Sequence, residues 1–294
     1  MKRALIFAAM SVGLAVGFGA PVALADQTQF TDFEGFNGDA SINGQNGWGV
    51  SNPAYDQKMV DFDDNTVWRV SNAVTSGSFG DMPFAPRLGG LPTDTVLNPT
   101  NHSPGAFAGE NRTGTTLDVF KGKFSFRSAT GAPQLGARIT VSADNGQGGR
   151  QSFIAINDTG AGLEISTSDV DSAGNFNSPI VIASGLSYKK WHTTSVEIRF
   201  KDGADNDVVK YFVDGKRVHK GQSWEQFYTN FQFDAHPLGV PVQTLLFRIS
   251  ADAVPSVLGG GYYIDNVRIS VSDTDKRRDG KDEDERDDSD GDND

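Results

Sequence analysis

Period-two alternation of apolar and polar residues recurs along this chain with scarcely any helical periodicity beside it, and that limits it to extended structure. "KFSFRS", "ARITVSA", "SFIAIN", "GLEIST", "SVEIRF", "TLLFRIS" and "NVRISVS" each read as a strand, because successive side chains of an extended backbone point to opposite faces. Gly, Asn and Asp clusters such as "SADNGQGG" and "DSAGNFNS" separate these runs at spacings too short for βαβ units. The pattern predicts an all-β sandwich or barrel. "SWEQFYTNF" is the one convincing helical stretch, with Ser223 as its N-cap. Asp214-Gly215, between "VKYFV" and "KRVHK", marks a two-residue hairpin turn. Such a turn pairs Val213 with Lys216, Phe212 with Arg217, Tyr211 with Val218 and Lys210 with His219. It places Val209, Tyr211, Val213 and Val218 on one face, and Lys210, Phe212, Arg217 and His219 on the other.

Residues 1–25 have the form of a secretory signal, with Lys2 and Arg3, an apolar run from Ala4 to Phe18, and Ala23-Leu24-Ala25 as a cleavage site. The expectation is a secreted protein, extracellular or periplasmic, with one folded unit over residues 26–272 and no membrane insertion once the signal is cleaved. Small exported domains are often stapled by disulfides, yet this chain has no cysteine. A sizeable apolar core, to which 20 Phe contribute, or a bound metal must then hold it. Residues 75–116, rich in Gly, Pro, Thr and Asn, read as a long loop over one edge or face of the sandwich.

Charge is uneven along the chain. The net charge is −12, and from Asp273 onward 12 acidic residues face 5 basic ones. That stretch is too polar to bury apolar surface, so 273–294 is expected to be a disordered acidic tail. It does not make an EF-hand, because ligand positions of the 12-residue loop fall on Arg277 and Arg286. No run of Lys and Arg is dense enough for nucleic acid. An acidic polymer would be repelled on average, unless a local basic groove overrides the mean.

Signatures of chemistry are mostly missing. The folded part holds five Glu (Glu34, Glu110, Glu164, Glu197, Glu225), and none is followed two residues later by another acid, as paired carboxylates on one strand face would require. There is no Gly-x-Ser-x-Gly elbow, and the four His (His102, His192, His219, His236) lack zinc-ligand spacing. A lyase could be drawn from His192 with Arg248 or Arg150, although His192 at a strand start reads more simply as a hydrogen-bonded structural residue. Calcium is better motivated. Asp265 falls in phase with Tyr263, Val267, Ile269 and Val271, and a carboxylate on an apolar face wants a partner or a metal. Asp32 and Glu34, between Phe30 and Phe36, could share one structural calcium ion with it if the terminal strands are adjacent. The other reading is that a bulge turns Asp265 outward or that backbone N–H groups satisfy it. For sugar recognition, Trp191, Glu197 and Arg199 share the polar face of one strand, with Trp48, Trp68, Trp224 and Tyr263 as further aromatic candidates.

"FEGF", "INGQNGW", "GSFGD", "ADNGQGGR", "DGADNDVVKYFVDGKRVHKGQSWEQFY", "LLFRIS" and "GGGYYIDNVRIS", in that order, resemble the concanavalin A-like, laminin-G-like modules of bacterial secreted and surface proteins. The resemblance implies a jelly-roll β-sandwich with adjacent terminal strands. It carries over no catalytic residue, since the paired-acid strand of laminarinase-like hydrolases is absent. In "SVEIRF" the first Arg of the alginate-lyase Arg-x-Glu-x-Arg pattern is replaced by Ser195. The expected role is non-catalytic binding of an extracellular glycan or cell-surface component. The alternatives are a polysaccharide-degrading lyase or hydrolase on the same fold, and an adhesive or matrix protein that binds other proteins.

Overall fold

The structure, a computed structural model, describes residues 26–50, 54–74, 84–87, 108–109, 117–145, 149–203, 205–231, 240–249 and 252–273. The signal segment, the tail beyond Asp273 and most of the 75–116 loop lie outside the described residues. Two antiparallel sheets pack face to face. The first contains β1 (Gln27–Thr31), β2 (Gln57–Phe62), β3 (Asn65–Val70), β5 (Val119–Ser128), β10 (His192–Arg199), β11 (Val208–Val213), β12 (Lys216–Gly221) and β14 (Tyr262–Ser272). The second contains β4 (Phe84–Arg87), β6 (Arg138–Asp144), β7 (Arg150–Asp158), β8 (Leu163–Thr167), β9 (Ile180–Leu186) and β13 (Thr244–Arg248). Their orders are β12-β11-β10-β5-β14-β3-β2, with β1 also paired to β14, and β4-β13-β6-β7-β8-β9. The chain crosses between sheets after β3, β4, β5, β9, β12 and β13, so strands distant in sequence become neighbours. This is a jelly-roll β-sandwich, with one α-helix among the described residues, α1 (Glu225–Phe231), beside it.

Alternation explains the layers. In β5 ("VFKGKFSFRS") Phe120, Phe124 and Phe126 are buried, while Lys121, Lys123, Ser125 and Arg127 between them are not. Trp48, Trp68, Phe124 and Phe247 join the two sheets at the centre of the core, with ring centroids 5.1–5.8 Å apart for Trp48–Trp68, Trp68–Phe247 and Phe124–Phe247. Trp48 and Trp68 are therefore core residues and Trp224 is buried against Phe153, so none of the three offers a surface platform. Gly122 of β5 faces Leu245 of the second sheet, and a Cβ there would sit 2.6 Å from Leu245 Cδ2. Ser223 caps α1 as expected, its Oγ accepting the Glu225 N–H at 3.2 Å and donating to Asp207 Oδ2 at 2.6 Å.

Two phase shifts depart from simple alternation. The β11–β12 turn forms at Asp214 (φ 49°) and Gly215 (φ 81°), the left-handed pair that a type I′ turn needs. Val213 pairs with Lys216 and Phe212 with Arg217, but a bulge then brings His219, not Val218, opposite Tyr211. His219 thus joins the Tyr211 side, 2.9 Å from Asp169 Oδ2, and Val218 is left exposed. In β14 a second bulge falls at Asn266 (φ 50°), between Asp265, which pairs with Ser125, and Arg268, which pairs with Lys123. Asp265 consequently shares the face of Tyr263 and Arg268, and Val267, Ile269 and Val271 line the core face without it. The expected phase of Asp265 with those three apolar residues is wrong, because the bulge inserts one residue between them. Within the 75–116 segment Phe84–Arg87 forms β4 against β13, where only a loop was expected. Among the described residues no helix is long and apolar enough to cross a membrane.

Candidate functional site

The outer face of the first sheet presents aligned rows of side chains, because residues paired across antiparallel strands share a face. One row runs Arg217, Phe212, Ser195, Lys123, Arg268 across β12, β11, β10, β5 and β14. The next runs Lys220, Lys210, Glu197, Lys121, Ser270 across the same strands. Between them opens a groove of about 320 Å³, whose lining includes Lys121, Lys123, Ser195, Glu197, Phe212 and Arg268.

Glu197 is the acid within this groove. Its Oε2 lies 2.7 Å from Lys121 Nζ and its Oε1 3.6 Å from Lys210 Nζ. Burial would raise its pKa, but the Lys121 hydrogen bond and charge, with Lys210 and Arg199, outweigh burial and hold it below the usual glutamate value. It stays ionised and suits hydrogen-bond acceptance better than proton donation. Arg199 projects from the same face one row further on, beyond the groove lining.

Trp191 shares that face but not the groove. Six residues of extended chain separate it from Glu197, roughly 20 Å. It is 36% exposed, and its ring centroid lies 6.3 Å from that of Phe62, which itself packs 4.7 Å from Tyr263. Arg127 Cζ stands 4.5 Å from the Phe62 ring centroid, a cation–π contact. Sequence reasoning found Trp191, Tyr263, Glu197 and Arg199 but missed Phe62 and the cations Lys121, Lys123, Lys210 and Arg268. The signal was present in "FKGKFSFR", where Lys121, Lys123 and Arg127 alternate with core residues.

Beside the aromatic end lies the corner where β1 gives way to β3 along β14. Glu34 Oε1 accepts the Thr66 N–H at 3.0 Å, and Asp32 Oδ1 accepts the Glu34 N–H at 3.2 Å. Asp265 is buried, accepting the Asn266 N–H at 2.6 Å on Oδ1 and an Asn266 Nδ2–H at 2.9 Å on Oδ2. Burial pushes its pKa up to about 6; the Asn266 N–H opposes this, while the charges of Asp32 and Glu34 add to it. The fold thus brings the three carboxylates within electrostatic reach of one another. Among the described residues, no three His, Cys, Asp or Glu side chains converge as metal ligands would.

The lyase arrangement does not form. His192, on β10 of the first sheet, packs its ring 5.8 Å from Phe126. Its Nδ1 lies 2.8 Å from Asp214 Oδ2 and its Nε2 3.1 Å from the Ser187 carbonyl, so one ring nitrogen anchors the hairpin turn and the other the segment between β9 and β10. Arg248 and Arg150 belong to the second sheet, across the core. Arg248 Nη2 is 3.3 Å from Asp144 Oδ2 in a fully buried ion pair. The Arg150 backbone exchanges hydrogen bonds with the Tyr228 hydroxyl at 2.8 and 2.9 Å. Burial raises the Tyr228 hydroxyl above its ordinary pKa despite the nearby Arg150, which disfavours it as a base.

The sequence matches no protein family and no curated protein. Among solved structures, the chain is similar to an alginate lyase from Pseudomonas aeruginosa at 10% identity and TM-score 0.46, over 77% of this chain and 99% of that one. It is similar to alginate lyase A1-II′, a member of polysaccharide lyase family 7, at 14% identity and TM-score 0.44, over 78% and 98% of the two chains. It is also similar to a Crh5 transglycosylase in complex with NAG, at 10% identity and TM-score 0.41, over 84% of each chain. At these identities and scores the likeness carries no chemistry from those proteins to this one.

Proposed function

We propose that this protein is a non-catalytic binder of an extracellular glycan, with the outer face of the first sheet as its binding surface. One observation carries the reading. A single half-exposed sheet face holds an aromatic end, Trp191 with Phe62 and Tyr263, and a groove of about 320 Å³ lined by hydroxyl, carboxylate and cationic side chains. Aromatic faces pack against the C–H side of sugar rings, and polar groups at fixed places select the hydroxyl pattern. The ionised Glu197 and the structural use of His192 favour binding over proton transfer.

The test is a panel of polysaccharides with the whole protein, scoring both retention and new chain ends. Retention without new ends, weakened by Trp191→Ala and Glu197→Gln, is the expected result. New chain ends would replace this reading with the enzymatic one. Absence of retention on every glycan would leave the adhesive, protein-binding alternative.

Calcium belongs to this reading as a structural ion drawn to the Asp32–Glu34–Asp265 corner, where a cation would offset the cost of burying the Asp265 carboxylate, the main cause of its raised pKa, and the lesser repulsion from Asp32 and Glu34. A melting temperature that rises with added calcium in the wild type, and does not in Asp265→Asn, is the expected outcome. An equal rise in both proteins removes Asp265 from the site.

A further inference from the structure

The sign of charge on the groove face is opposite to that of the molecule. The chain carries −12 overall, yet the two rows that frame the groove hold Arg217, Lys123, Arg268, Lys220, Lys210 and Lys121 against Glu197 alone. Lys123, Arg268, Arg217 and Lys220 are exposed and make no ion pair with any described residue. Lys123 lies directly opposite Arg268, and Lys210 directly opposite Lys220. Like charges so placed destabilise a sheet. Protection of an exposed edge explains lysines on β12, the edge strand. It does not explain Lys123 and Arg268, which occupy β5 and β14 in the interior of the sheet.

Resting on the glycan-binding reading above, we infer that the ligand of this face is a polyanionic polysaccharide, bearing carboxylate or sulfate groups along its length. Five adjacent strands make each row roughly 19 Å long, enough to engage several sugar units at once. Arg217, Lys123 and Arg268 in one row and Lys220, Lys210 and Lys121 in the other meet the repeated negative charges, while Thr193, Ser195 and Ser270 offer hydroxyls beside them. Glu197 separates this ligand from nucleic acid. An ionised carboxylate accepts hydrogen bonds from sugar hydroxyls, which a glycan offers on every unit and a DNA backbone does not.

Affinity of the full chain is compared for two matched pairs: polygalacturonate against its methyl ester, and dextran sulfate against dextran. Each acidic member is expected to bind about tenfold or more tighter than its neutral partner, with the preference shrinking as salt rises. Preference within the first pair alone identifies carboxylate as the group read, and within the second alone, sulfate. Lys123→Ser/Arg268→Ser is expected to remove most of the preference while its melting temperature stays at or above that of the wild type. Equal binding of acidic and neutral members overturns the inference and leaves glycan binding standing. No binding to any of the four, with none to other glycans, overturns the glycan reading itself. Single-stranded DNA retained as tightly as polygalacturonate overturns the inference in favour of a general polyanion surface.

Discussion

Burial holds the Asp265 carboxyl near pKa 6, above the ordinary 3.8, and this fixes the sign of its effect on stability. The folded chain keeps its proton where the unfolded chain has lost it, so this group's contribution to stability falls as pH rises from about 4 through 6. In chelator, Asp265→Asn is therefore expected to melt above the wild type at pH 8 and together with it near pH 4. Coincident melting curves at pH 8 would remove the burial argument. Asp56 behaves in the opposite sense. Burial would raise its pKa, but hydrogen bonds from Arg69, Ser71 and the Gly259 N–H prevail and lower it. Its stabilising contribution is lost as pH falls through the acid range. Removing one partner of such a buried pair strands the other, and Asp56→Ala is expected to cost about 3–5 kcal/mol in denaturant unfolding. No local pattern marks the Asp56–Arg69 pair, whose members lie on a loop and on a strand buried on both faces. Alternation did single out Asp265 as a carboxylate in need of partners, and a one-residue bulge reversed the face on which those partners are found.

Elements with clean alternation were legible: β5, β6, β7, β8, β10, β13 and β14, the Asp214-Gly215 hairpin and α1 all lie where the pattern put them. Strands without it were not. In β3 the last four residues, "VWRV", are all buried, so no polar face marks the period, and in β9 no residue is fully buried. The β2–β3 hairpin went unseen because its turn is Asp63-Asp64 rather than Asp-Gly, although both residues adopt the left-handed region (φ 54° and 65°). The left-handed cost to a non-glycine residue, roughly 1–2 kcal/mol, exceeds the roughly 0.5–1 kcal/mol of chain entropy that glycine gives up on folding. Asp64→Gly is expected to stabilise the fold by about 0.5–1 kcal/mol, measurable as a raised denaturant midpoint at unchanged slope. Gly122 sets the sheet separation from within β5. A methyl group there meets Leu245, and overpacking of this kind costs about 1–3 kcal/mol. Gly122→Ala should lose that much, and Leu245→Val in the same chain should recover part of it. Purely additive losses would mean that the two side chains do not share the space.

At the scale of the whole molecule the basic face was illegible for a geometric reason. Its cations come from β5, the β11–β12 hairpin and β14, far apart along the chain and assembled only by strand pairing. A scan for dense Lys and Arg reads the sequence, whereas a ligand reads the sheet. The same pairing has a kinetic consequence. β14, the last strand of the fold, is an interior strand, flanked along one edge by β5 and along the other by β3 and β1. Until residues 262–272 leave the ribosome, β5, β3 and β1 each present an unpaired edge, and the first sheet cannot close. Closure of this sheet is thus deferred until residues 262–272 have been made, and proceeds on the slow timescale of long-range strand pairing. A chain cut before Tyr262 is expected to aggregate instead of leaving a smaller soluble domain, which sedimentation of the truncated product would decide.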